Sequence, residues 1–299
     1  FIDAFLIENS DFKRENIEIR PVITSGDINL KDRLDLIGGK GLFVKEIEQM
    51  LLDRKIDVAV HSMKDMPTIM TPGLKVAAWL SRGDEREVLI GNENKSIMEL
   101  KPGSVIGTSS IRRRSQILSL RNDLVIKLIR GNVDTRINKL DQGLYDALIL
   151  GFGGINRLDL SKRVTQIFSI NEILPPACQA SVGIQTLDED STLINLISNT
   201  NHKDSSIIGI AERKVLEVLR ANCNSPIGVH AFFEDKNYLT IKVELFSHNG
   251  QEKYIAEASG KFDDSIKTAI EVGNIIIKKV GQKYINELDN LKDDFNYTP

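Results

Sequence analysis

Apolar residues recur along this chain with two periods. In "GLFVKEIEQMLLDRKI" (41–56), Phe43, Ile47, Met50 and Leu51 fall on one face of a helix. Short runs such as "NIEIRPVIT" (16–24), "DVAVHS" (57–62) and "LKVAAWL" (74–80) read instead as strands. A polar stretch, "SRGDERE" (81–87), reads as a hinge or linker, and then the pattern restarts. "SVIGTSS" (104–110) predicts a strand that hands over to a helix at "IRRRSQILSLR". "DLVIKLIRGN" (123–132) predicts strand then loop, "VDTRINKLDQG" (133–143) a helix stopped by Gly143, and "YDALILG" (145–151) another strand. Strands alternating with helices predict βαβ units and mainly parallel sheets.

From about residue 203 the character changes. A helix, "IGIAERKVLEVLRAN", precedes "CNSPIGVHAFF". Two alternating strands follow, "YLTIKVELFS" and "QEKYIAEASG", with a hairpin turn at "HNG". A helical segment, "SIKTAIEVGNIIIKKVGQKYINEL", closes this small α+β domain.

Polar chemistry gathers where predicted strands end. "HSMKDMP" (61–67) brings an imidazole, a hydroxyl, an ammonium and a carboxylate to the end of "DVAV". It is either a plain strand exit or a loop that does chemistry. His61, at the strand end, reads as structural. Residues 107–136 hold Arg112, Arg113, Arg114, Arg121, Arg130, Arg136 and Lys127 against Asp123 and Asp134. One bland reading is a solvated helix face, and another is a nucleic-acid surface. Position argues for a third. Ser109 or Ser110 would cap the helix, placing Arg112 and Arg113 in its first turn. Cations there oppose the helix dipole, and a bound anion would relieve them. Arg130 and Arg136 recur at the same edge, where open α/β sheets bind ligands. Guanidinium groups favour carboxylate or phosphate, so the run predicts a site for a polyanion. "GGKGLFVKE" (38–46) adds Lys40 at a matching edge of the first half. Two lobes sharing a cleft would bring Asp65 opposite the arginines, to stabilise a developing cation or shuttle a proton.

The totals narrow the classes. The 299 residues carry a formal net charge of -3, which gives the whole molecule no bias toward nucleic acid and suggests two domains or three. Two cysteines, Cys178 and Cys223, are too few for a disulfide framework and fit a reducing, cytoplasmic setting. No apolar run reaches the roughly 18 residues of a membrane span, no basic-then-apolar leader pattern opens the chain, and no P-loop is present.

Taken together, "GGKGLFVKE", "DVAVHSMKDMP", "GTSSIRRR", "RGNVDTRINKL" and "NCNSPIGVHA" resemble porphobilinogen deaminase in order and spacing over nearly the whole chain. The family is also called hydroxymethylbilane synthase. The resemblance implies an α/β fold of two type II periplasmic-binding-protein-like lobes around a cleft, plus a small α+β C-terminal domain. Lobe 1 would take residues 1–80 and 181–198, lobe 2 residues 86–175, and the cofactor-attachment domain residues 203–299. It implies a monomer that uses no metal and condenses four porphobilinogens head to tail, releasing ammonia each time. The primer would be a dipyrromethane cofactor held by a thioether to Cys223. Asp65 would be the catalytic carboxylate. It would steady the azafulvene cation left by ammonia and assist both proton steps. Arg112, Arg113, Arg130, Arg136 and Arg157 would bind acetate and propionate groups. Lys64, Thr108, Ser110, Asn132 and Gln179 would line the cofactor path, and Lys40 would contact substrate.

The sequence departs from the family pattern in three places. An "RxSxLA" segment expected ahead of the first helix is not in this sequence. The family's "GQG" is "CQA" (178–180) here, and Ala221 and Asn222 replace a double glycine before Cys223. Two other classes compete. A non-enzymatic type II binding protein for a small polyanion would not need a domain carrying Cys223. A nucleic-acid binder would not be expected to be acidic overall.

Overall fold

The computed structural model describes residues 1–22, 44–222, 225–247 and 251–288. Lys40, Cys223, the glycines of "GGKGLF" and the "HNG" turn lie outside them. Eleven strands occur among the described residues: β1 (Ala59–Ser62), β2 (Leu74–Trp79), β3 (Glu87–Gly91), β4 (Val105–Gly107), β5 (Val125–Lys127), β6 (Ala147–Gly151), β7 (Gln166–Ile167), β8 (Val182–Leu187), β9 (Ile227–Phe233), β10 (Tyr238–Phe246) and β11 (Lys253–Lys261). The chain divides into two compact units, Phe1–Arg82 with Ser181–Ile210, and Gly83–Ala180 with Ala211–Pro299.

In the first unit the sheet order is β1-β8-β2, antiparallel throughout. Leu51 of the helix Lys45–Leu52 packs with Ala59 and Leu74. Ile197 of the helix Ser191–Ser198 packs with Ala78 and Ile184. Helices therefore supply separate apolar clusters for this central sheet. Residues 17–22, expected as a strand, take no strand conformation. Arg20 there donates to Glu18 and to the carbonyl of Lys55, so side chains rather than a ladder hold the segment.

The second unit holds a five-stranded sheet, β5-β4-β6-β3-β7. β3 and β6 are apolar on both faces. Leu89 and Ile149 join one core with Ile117 of the helix Ile111–Leu120, while Val88, Ile90, Leu148 and Leu150 join another with Ile137 and Ile155. A sheet covered on both sides needs such continuous runs. β4 pairs parallel to β5 and β6, but β3 pairs antiparallel to β6 and β7. The expectation of mainly parallel sheets is thus corrected. β3 and β8 each follow a passage of the chain between units, and no helical crossover dictates their direction. The same unit carries the three-stranded antiparallel sheet β11-β10-β9, covered by the helix Ser265–Val280 through Thr268, Ala269, Val272 and Ile276. That helix stops at Gly281 with φ +84°, so the closing helical segment breaks into two.

Candidate functional site: a buried arginine cluster and an exposed carboxylate

In the second unit, Ser110 is the N-cap of the helix Ile111–Leu120, and its hydroxyl accepts from the Arg113 amide. Thr108 Oγ1, buried just ahead, accepts from the Ser110 amide at 3.2 Å. These two contacts fix the turn that sends Arg112 and Arg113 inward. Both guanidinium groups reach one carboxylate, Glu87, which is fully buried at the start of β3. Arg113 Nη2 lies 2.8 Å from Glu87 Oε2, and Arg112 Nη2 bonds Oε1. Arg112 also donates from Nη1 to the Leu174 carbonyl at 2.7 Å. Burial, and next the charge of Arg113, pull Arg112 down to about 10 against the opposing pull of Glu87, so it remains charged at neutral pH.

The next helix, Val133–Asp141, is capped by Asn132, whose Oδ1 accepts from the Thr135 amide. Gly131 precedes it with φ +114°, and a Cβ there would sit 2.7 Å from Thr135 Cγ2. Only glycine fits that turn. Arg136, half-buried, donates Nε to the Gly131 carbonyl at 2.7 Å. Burial is the main cause that lowers Arg136 to about 10, followed by the charges of Arg113 and Arg130. Three guanidinium groups from two helix starts thus stand close enough to repel. Arg113 Nε is buried and finds no protein acceptor. An unmet charged donor in such a cluster is costly unless an anion meets it. The donor set fits a polycarboxylate such as a dipyrromethane.

Gln179 lies in the same unit between two left-handed residues, Cys178 at φ 60° and Ala180 at φ 61°. Its Nε2 donates to the Glu85 carbonyl at 2.7 Å, and the glycine at 151 leaves it room. The buried Glu212 clamps this loop. Its two oxygens accept from the Cys178 and Ala231 amides, which ties the loop to β9. Arg157 is exposed at the end of the helix Phe152–Arg157.

In the first unit, Lys64 and Asp65 are exposed on a single 3-10 turn, Met63–Asp65, directly after β1. Met63 anchors the turn. Its amide donates to the Ser181 carbonyl, and its side chain fills the space over Gly183. His61 is buried and bonds Gln185, as a structural residue should.

Sequence reasoning missed Glu87, Glu212 and the buried pair Glu48 and Gln185. Glu87 was hidden at the edge of an apparent linker. The one available signal was that "EVLIG" continues it as a fully apolar run.

Two features define a class: α/β units, one with a buried arginine cluster on a single carboxylate, and a C-terminal antiparallel sheet covered by a helix. A family model described as "Porphobilinogen deaminase, dipyromethane cofactor binding domain" matches residues 3–195, and one described as "Porphobilinogen deaminase, C-terminal domain" matches residues 206–282. Porphobilinogen deaminase of Buchnera aphidicola is 39% identical over 91% of this chain and 87% of its own length. That of Syntrophobacter fumaroxidans is 38% identical over 91% and 88%. Among solved structures, an arginine-specific periplasmic binding protein of Salmonella typhimurium covers 53% of this chain and 70% of its own at 14% identity, but its TM-score of 0.31 carries no argument.

The chain belongs to the porphobilinogen deaminase family. It is a transferase of tetrapyrrole synthesis with hydroxymethylbilane synthase activity, and its cofactor is dipyrromethane. Membership carries with it a dipyrromethane cofactor-binding domain over residues 3–195 and a C-terminal domain over residues 206–282. No helix among the described residues is long and apolar enough to cross a membrane.

Proposed function

We propose that Asp65 is the catalytic carboxylate of the condensation and that the buried arginine cluster holds the carboxylates of the growing chain. The observation that carries the second part is Arg113, with Nη2 on Glu87 and Nε turned to no protein acceptor. In this reading Arg113, Arg130 and Arg136 grip acetate and propionate groups. Arg112 supports them from beneath through Glu87. Thr108, Ser110 and Asn132 set the helix starts that aim the guanidinium groups, and Gln179 borders the same path. Lys64 meets carboxylates of the cofactor, and Lys40 and Arg157 meet those of the substrate. Cys223 is the attachment point.

Asp65 is exposed at the end of its turn, where it can reach a substrate. A proton must reach the aminomethyl nitrogen of porphobilinogen for ammonia to leave. The carboxylate then balances the cation left on the substrate methylene. It next accepts the proton that the attacking pyrrole α-carbon gives up as the new carbon–carbon bond forms, and passes it to solvent, which restores the carboxylate. When bound, the dipyrromethane supplies the nucleophilic α-carbon.

We further infer three domains, with the two lobes as 1–80 plus 181–198 and 86–175, and a C-terminal domain from 203. The same reading makes the enzyme a cytoplasmic monomer with porphobilinogen as its small-molecule substrate, and neither nucleic acid nor membrane as a partner. The buried placement of Arg112 and Arg113 and the pairing of Arg121 with Asp123 support it, since they take those charges from a nucleic-acid surface.

Replacing Asp65 with Asn tests the central role. Loss of general acid–base help should cost about 100-fold or more in kcat, with the thermal midpoint unchanged. Turnover near the wild-type rate would show the assignment of Asp65 to be wrong.

A further inference from the structure

The loop that carries Lys64 and Asp65 runs between His61 and Thr71, and one buried carboxylate ties both of its ends. Glu48, on the helix Lys45–Leu52, is only 6% exposed. Its Oε2 accepts from Thr71 Oγ1 at 2.6 Å, where the loop ends. Its Oε1 accepts from Gln185 Nε2 at 2.8 Å, and Gln185 lies on the central strand β8 with no exposed surface. Gln185 Oε1 in turn meets His61 Nε2 at 2.9 Å, where the loop begins.

The direction of these bonds follows from the carboxylate. Gln185 turns its amide NH₂ toward Glu48 Oε1 and donates to it. That leaves Gln185 Oε1 as an acceptor, so His61 Nε2 carries the hydrogen. Burial lowers the pKa of His61, which agrees with a neutral ring held in one tautomer. The helix, β8 and both loop ends thus share one polar chain inside an apolar unit. Between its ends the turn is further pinned by the Met63 amide on the Ser181 carbonyl.

We propose that Glu48 is a positioning residue for the reaction: through Gln185 with His61 at one end, and Thr71 at the other, it fixes the loop that presents Asp65. The proposal rests on the reading of Asp65 as the catalytic carboxylate. Catalytic groups displaced by about 1 Å can lose on the order of 100-fold in rate. A residue acting this way should change kcat far more than KM.

The test is a double-mutant cycle between Glu48→Gln and Asp65→Asn, with kcat, KM and thermal midpoint measured on the holoenzyme. Glu48→Gln alone should lower kcat about tenfold or more and leave KM within about twofold. In the Asp65→Asn background, where no carboxylate remains to be placed, the same change should cost nothing further. An equal loss in both backgrounds would overturn the proposal and make Glu48 a purely structural residue. So would an unchanged kcat in Glu48→Gln. Thr71→Val removes one donor to Glu48 and should reproduce a smaller kcat loss, which keeps the question decidable if Glu48→Gln does not fold. Failure of the Asp65 reading itself is separate: it would show as wild-type turnover in Asp65→Asn alone.

Discussion

Arg113 keeps one guanidinium nitrogen on the protein and leaves another for the anion of the proposed site. Nη2 rests on Glu87 and Nε meets no protein acceptor. A lysine has one compact donor group and cannot serve both sides of such a fork. Arg113→Lys should raise the KM for porphobilinogen, or block cofactor loading, with a loss in kcat/KM of about tenfold or more. Steady-state kinetics on purified enzyme would read it. His61 offers a second test at this scale. Its pKa is lowered in the folded protein, first by burial, from an ordinary value of 6.5. The unfolded chain therefore takes up a proton more readily than the native one just below that value. The sign follows: His61 contributes its full share of stability above about pH 6.5 and loses it as pH falls from there through the lower native value. The thermal midpoint of the wild type should drop between pH 7 and pH 5 more steeply than that of His61→Asn. Of these residues, the arginines and His61 were legible as chemistry-bearing positions. Glu87 was not, because a carboxylate beside "SRGDER" looks solvated until the strand after it is known to be buried.

At the scale of elements, the loop "CQA" holds two side-chain-bearing residues in the left-handed region, Cys178 and Ala180. Each pays roughly 1–2 kcal/mol for that conformation, a cost glycine avoids. Ala180→Gly should therefore be neutral to stabilising by about 0.5–1 kcal/mol once the greater freedom of the unfolded glycine is subtracted. Thermal or denaturant unfolding would measure it. Legibility differed among elements for physical reasons. "ALILG" and "LKVAAW" announced themselves as strands by continuous apolar composition. The alternating run at 17–22 did not form one, because alternation describes a half-buried face only where a partner strand supplies the other half of the ladder. The helix stop at Gly143 was readable because its φ of +74° suits glycine above other residues. The break at Gly281 has the same cause, but the apolar pattern runs on beyond it.

At the scale of the whole molecule, sheet direction was the largest departure from expectation. Alternating strands and helices suggest parallel pairing, yet β3 and β8 run antiparallel to their neighbours. Such strands are invisible to a local reading, since their direction depends on the route of the chain between the two units. Charge behaved similarly. The arginine run was legible as a candidate polyanion site, but the burial of two of its members on one carboxylate was not, because Glu87 lies distant in sequence. The central claim, a cofactor-primed synthase with its pyrrole chain on Cys223, is tested most directly by mass. The intact chain, isolated from cells that make porphobilinogen, should carry a two-pyrrole adduct. Peptide mapping should place it on Cys223, and Cys223→Ser should abolish it while Cys178→Ser keeps it. A chain isolated from such cells without an adduct, or with the adduct on Cys178, would contradict the claim.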